Sequence, residues 1–143
     1  MSSSSPATTK QTTGLRLFNA LTGVTTLGLL LQAITAGEFV SQEHREEWID
    51  VHSVIGNVTL AIALVAAVVG IASMLGSEPG LVWASSVLFV LMTVQVILGR
   101  LITDLHQDGW IGVHVPLAFV IFGGAIWISI RGAARRRATA RAV

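Results

Sequence analysis

Neutral imidazole is a good ligand for iron, copper and zinc. The chain has four histidines and no cysteine, so any tightly held transition metal must rest mainly on imidazole nitrogen. The histidines do not stand alone. The segment from Gly37 to Val54, GEFVSQEHREEWIDVHSV, returns without a gap from Gly99 to Pro116 as GRLITDLHQDGWIGVHVP. His44 then matches His106 and His52 matches His114, with Gly37/Gly99, Trp48/Trp110, Ile49/Ile111 and Val51/Val113 also identical. Val40/Ile102, Ser41/Thr103 and Glu46/Asp108 are conservative pairs. Two matched histidines on related helices suggest one ligand gripped from both sides.

The elements that must position them are apolar. Of 143 residues, 52% are hydrophobic and only 12% charged, against about 25% charged in an ordinary soluble domain. Four segments carry the excess, about residues 15–36, 51–75, 81–103 and 111–131. Each has the roughly 20 residues that span a bilayer as a helix. Pro116 is expected in the first turn of the fourth helix, where its missing N–H is harmless. The first segment is too long for the apolar core of a cleavable signal. Residues 1–13 are Ser/Thr-rich and expected to be a disordered cytoplasmic N-terminus; residues 14–132 form the transmembrane domain and 133–143 a basic cytoplasmic tail.

Charge sets the orientation. All basic residues except Arg45 and Arg100 lie toward the two termini, and all acidic residues except Glu78 lie in the echo segments. The positive-inside rule puts both termini in the cytoplasm and the histidine loops outside the plasma membrane. Each repeat is then helix, outer loop, helix, and the two repeats are parallel copies about a pseudo-two-fold axis. The expected fold is all-α: an integral membrane four-helix bundle, up-down-up-down. In it, helices two and four are diagonal and carry His52 and His114 at their outer ends, with Trp48 and Trp110 as interfacial anchors. The terminal arginines suit anionic lipid head groups rather than nucleic acid.

His52 and His114 sit at the membrane boundary, where an ionisable group is costly without a partner. A facing histidine pair with no thiolate and no carboxylate cluster suits a haem, whose porphyrin supplies four nitrogens and needs only two axial ligands. The alternative is that both merely hydrogen-bond at the interface. If the intervening residues are helical, His44 and His106 lie about 80° off the same face and about 12 Å further out. They are solvated loop residues, a second haem site, or a copper or zinc site helped by Glu43 or Asp104. Arg100 and Arg45 could meet haem propionates, or Arg100 could pair with Asp104 at i,i+4. Gly37 and Gly99 could let a ring approach the backbone or end their helices. Gln32 and Gln95 read first as helix–helix hydrogen bonds. Small residues run inward from His52: Gly56, Thr59, Ala63, Ala66 or Ala67, and Gly70 share one face. They could pack closely on a neighbouring helix, or, at Gly56, leave room beneath the ligand for a flat ring.

The histidines at the outer ends of helices two and four resemble one four-helix half of the haem A synthase family. The chain is also similar to small uncharacterised bacterial four-helix membrane proteins. Those share Gln-x-x-x-x-Gly late in helix one (Gln32 to Gly37), its one-residue-shorter form in helix three (Gln95 to Gly99), His-x-x-x-Gly (His52 to Gly56) and Val-His-x-Pro (Val113 to Pro116). The resemblance implies the bundle fold and haem b, one with a second open. The family's glutamate three residues before a His-Arg has no counterpart: Ser41 precedes His44-Arg45 and Ile49 precedes His52. Hydroxylation of a haem methyl group is therefore not expected. The leading expectation is a membrane b-type cytochrome for electron transfer, alone or within a larger respiratory or oxidoreductase complex, or as a homo-oligomer. The alternatives are a non-haem accessory or assembly subunit and a haem or metal handling protein. Nothing in the sequence resembles a nucleophile–base pair or a phosphate loop.

Overall fold

The computed structural model describes residues 6–40 and 44–141. They form α1 (Pro6–Val40), α2 (Arg45–Met74), α3 (Pro79–Thr103), a single 3₁₀ turn (Asp108–Trp110) and α4 (Ile111–Arg141). All four α-helices are long and apolar enough to cross a membrane. Each is longer than its apolar segment. α1 takes in residues 6–13, which the sequence reading left outside the helix, and α4 runs on through the arginines to Arg141. α2 starts at Arg45, so Trp48 and Asp50 are helical; Glu46 and Glu47 sit in its first turn, favourable against the helix dipole. Pro116 lies inside α4 and not in its first turn. Without an N–H it cannot satisfy the carbonyl of Gly112.

The helices pack in a ring, a four-helix bundle: α1 on α2 and α4, and α3 on α2 and α4. Among the described residues the diagonal backbones, α1 with α3 and α2 with α4, do not come into contact. The α1–α2 seam is made of small residues. A side chain at Gly14 would collide with Ser73 and one at Gly28 with Thr59, while Gly70 lies against the ring of Phe18. Thr59, Ala63, Ala66, Ala67 and Gly70 are all buried. The stripe below His52 is thus close helix packing, the usual role of small residues in membrane bundles. Hydroxyls along the seams bond the preceding turn, as Thr25 does to Leu21 O at 2.9 Å and Thr59 to Ile55 O at 2.7 Å.

The core is one-sided. Phe18, Met74, Val82, Ile121 and Ile128 are nearly or completely inaccessible, joined by Leu88, Met92 and Ala125. With Met92 and Ile121 about midway, most lie toward the end of the bundle that holds the α2–α3 turn. There Asn19 Nδ2 donates to Gly132 O at 2.9 Å, Thr26 meets Ser129 at 3.0 Å, and Arg135 pairs with Glu78 at 2.8 Å. Toward the histidine end, beyond Thr59 on α2 and Met92 on α3, the only buried residues among those described are Thr35 and Leu98. The outward faces carry large apolar side chains such as Leu27, Val54, Trp83, Val90 and Phe119, an exposed apolar surface of the kind that suits a membrane.

Candidate functional site

His52 and His114 stand on diagonally opposite helices of the bundle. Both are partly buried. The same device holds both. Gln32 on α1 donates Nε2 to the main-chain carbonyl of His52 at 2.6 Å, and Gln95 on α3 donates Nε2 to that of His114 at 2.9 Å. Each bond ties the histidine's helix to its neighbour, Gln32, Gln95 and His52 lying about two turns from the ends of α1, α3 and α2. The glutamines therefore are the helix–helix hydrogen bonds that the sequence led us to expect. Gly56 makes the first one possible, because a Cβ there would stand 3.3 Å from Gln32 Oε1. That corrects Gly56 as a floor for a flat ring: its space is filled by the glutamine amide.

The ring environments differ. Nδ1 of His52 lies 2.9 Å from Thr35 Oγ1. The Thr35 hydroxyl also stands 3.1 Å from the carbonyls of Leu31 and Gln32. Where its one proton goes to either carbonyl, the oxygen accepts from Nδ1–H and Nε2 keeps its lone pair. Phe39 packs edge-on against the same ring, with centroids 5.4 Å apart. His114 instead lies against Gly99, where a Cβ would be 3.4 Å from Cε1. Its Nδ1 is buried without a hydrogen-bond partner, as is Gln95 Oε1. Counting from the glutamines, the residue in the place of Thr35 is Leu98, which has no hydroxyl to offer. Neither Thr35 nor Phe39 is marked by the histidine spacing. The available signal was a buried-type polar residue three positions after Gln32 in an apolar helix.

The remaining sequence candidates divide. Gly99 touches His114, but Gly37 has nothing near it, and neither ends its helix: α1 continues to Val40 and α3 to Thr103. Arg100 pairs with Asp104 at 3.8 Å, the i,i+4 arrangement. Arg45 makes no ion pair with the described residues. His44 and His106 are the only non-glycine residues with positive φ among those described, both at 52°. They are the left-handed residues at which the chain turns before α2 and before the 3₁₀ turn. His44 also stands 3.5 Å from Glu47, beside a shallow open groove lined with Trp48 and Val51. Among the described residues no three metal-binding side chains gather at one place, whereas a protein-built zinc site needs three or four. Glu43, a suggested helper, lies outside the described residues.

A haem asks for less, only two axial nitrogens. The set around His52 would suit that demand: Thr35 Oγ1 is 2.9 Å from Nδ1 and able to hold its proton, which would leave Nε2 as the donor. His114 fits as a second imidazole, one with a buried polar atom still to satisfy. No protein family, curated protein or solved structure matches this chain.

Proposed function

We propose that the chain is a small b-type cytochrome of the plasma membrane, holding one haem b between His52 and His114. What carries this reading is the matched setting of the two histidines. Each offers its carbonyl to a glutamine of the preceding helix, on helices that stand diagonally opposite in the bundle. Generic packing has no need to repeat a histidine together with its glutamine clasp.

When bound, the haem supplies a one-electron iron couple. The chain's own residues present the imidazoles. Thr35 fixes the His52 tautomer, Gln32 and Gln95 set the height of each histidine against its neighbouring helix, and Gly99 lets the His114 ring lie against α3. His44 and His106 turn the chain and are not ligands in this proposal. The helices run up-down-up-down with both termini cytoplasmic and the two repeats related by a pseudo-two-fold axis. Supporting this, α1 meets α2 at Gly14/Ser73 near one end and at Gln32/His52 near the other, and the charges follow the positive-inside rule. The work is electron transfer, alone or as a subunit of a larger membrane oxidoreductase. The resemblance to half of a haem A synthase points the same way for fold and cofactor.

The test is an absorption spectrum of the detergent-purified protein, oxidised and then reduced with dithionite. The expected result is a Soret band with sharp α and β bands on reduction, those sharp bands being lost in both His52→Ala and His114→Ala. A colourless wild type after expression with ample haem would sink the proposal and favour an accessory subunit.

A further inference from the structure

We infer that the two histidines are unequal ligands: His52 is the fixed one and His114 the exchangeable one, so the site opens a coordination position to a small neutral ligand such as a diatomic gas. This rests on the haem reading above and adds to it. The observation is the broken symmetry at Nδ1. Gln32 and Gln95 occupy equivalent places, since each donates to the carbonyl of its histidine. Three residues on, the equivalent places hold Thr35 and Leu98. They are 4% and 7% exposed and are the buried side chains of the histidine end. Thr35 places a hydroxyl able to accept from Nδ1–H 2.9 Å from His52 Nδ1; Leu98 has none, and His114 Nδ1 is left buried and unpartnered.

A ligating histidine whose second nitrogen donates a hydrogen bond is oriented, held in one tautomer and made more basic. His52 has all three advantages and also the edge of Phe39 against its ring. His114 has none of them on its ring; only its backbone is clasped. A ring nitrogen that is buried without a partner is itself a cost to the liganded arrangement, and rotation of the ring away from that position relieves it. In a haem-loaded protein the exchange would replace the His114 imidazole by the incoming ligand, with no change of oxidation state. Removing such an outer hydrogen bond weakens metal binding about 10- to 100-fold, and the natural difference between Thr35 and Leu98 is of that kind.

Carbon monoxide titration of the ferrous, haem-loaded protein tests this, using wild type, Leu98→Thr, Thr35→Val and Thr35→Ser. Wild type is expected to exchange its sharp α and β bands for a carbon monoxide spectrum. Leu98→Thr, which supplies the missing acceptor, is expected to bind carbon monoxide about 10-fold more weakly or worse. Thr35→Val is expected to release haem more readily, and Thr35→Ser to behave as wild type. A coloured wild type indifferent to carbon monoxide, or a Leu98→Thr protein that titrates like wild type, overturns the inference and leaves the cytochrome standing. A colourless wild type removes both. Nitrogen NMR of the haem-free protein reads the cause directly: a single Nδ1–H tautomer at His52 and a mixture at His114, the mixture collapsing to one form in Leu98→Thr. Equal tautomer mixtures at the two rings would overturn the inference whatever the haem does.

Discussion

Gln32 Nε2 reaches the main-chain carbonyl of His52 at 2.6 Å, the shortest link between α1 and the histidine end of α2. Its counterpart from Gln95 to His114 spans 2.9 Å. Interhelical hydrogen bonds of this kind contribute about 0.6 kcal/mol on average in membrane bundles and up to about 1.7. Gln32→Leu and Gln95→Leu should each lower stability by about 0.6–2 kcal/mol, read as a fall in the thermal midpoint in detergent. Because each clasp sets a histidine's height, both variants should also bind haem more weakly. A variant with full haem affinity would show that the clasp is structural only.

Two glycines of α1 give opposite predictions for the same substitution. A Cβ at Gly28 would run into the side chain of Thr59. That side chain is β-branched, and its hydroxyl is held by Ile55 O at 2.7 Å, so it has nowhere to swing. Gly28→Ala should therefore destabilise, by about 1–3 kcal/mol for an overpacked contact. Gly23 has nothing within 4 Å. There Gly→Ala should stabilise by about 0.5–1 kcal/mol through helix propensity alone. Thermal unfolding of the two variants side by side settles the sign of each.

His44 and His106 are held at φ 52°. An L-residue in the left-handed region costs roughly 1–2 kcal/mol, a cost glycine does not bear, although glycine loses more chain entropy on folding. His44→Gly and His106→Gly should be neutral to mildly stabilising, and the reduced spectrum should be unchanged. Loss of colour or of one spectral component in either variant would make this pair ligands of a second group.

Arg135 meets both carboxylate oxygens of Glu78 at 2.8 Å, joining α4 to the turn between α2 and α3. Arg135 is largely exposed, so the bond is worth little, about 0.2–1 kcal/mol. Arg135→Ala should lower the melting point only slightly, and the difference from wild type should shrink as salt is raised.

Much of this was legible in the residues. Four long apolar runs in a chain with so little charge can hardly be anything but four helices, and Gln32 and Gln95 announce themselves as polar groups that must find partners inside a bundle. Arg100 and Asp104 are an ordinary i,i+4 pair. The helix ends were less legible, because hydropathy marks where lipid would stop and not where a helix must: polar runs such as Arg45–Asp50 and Arg135–Arg141 simply continue the coil. The echo suggested equal histidines. Their inequality depends on whether a hydroxyl is at hand for Nδ1, so it rests on Thr35 and on Leu98 at the matching distance from its glutamine, positions just outside the repeated motif. The αL backbone at His44 and His106 is likewise invisible to composition, since histidine is only mildly favoured there.

The one-sided core has a dynamic consequence. Local opening is least costly where few side chains are interlocked, and in this bundle that is the histidine end, pinned by two glutamine clasps and the buried Thr35 and Leu98 rather than by a cluster like that of Phe18, Met74 and Ile128. The helices are interlocked more tightly at one pole than at the other. Amide exchange should spread from the histidine ends of α2 and α4 toward the α2–α3 turn, so the pole with least resistance to unfastening is the one nearest the proposed cofactor site.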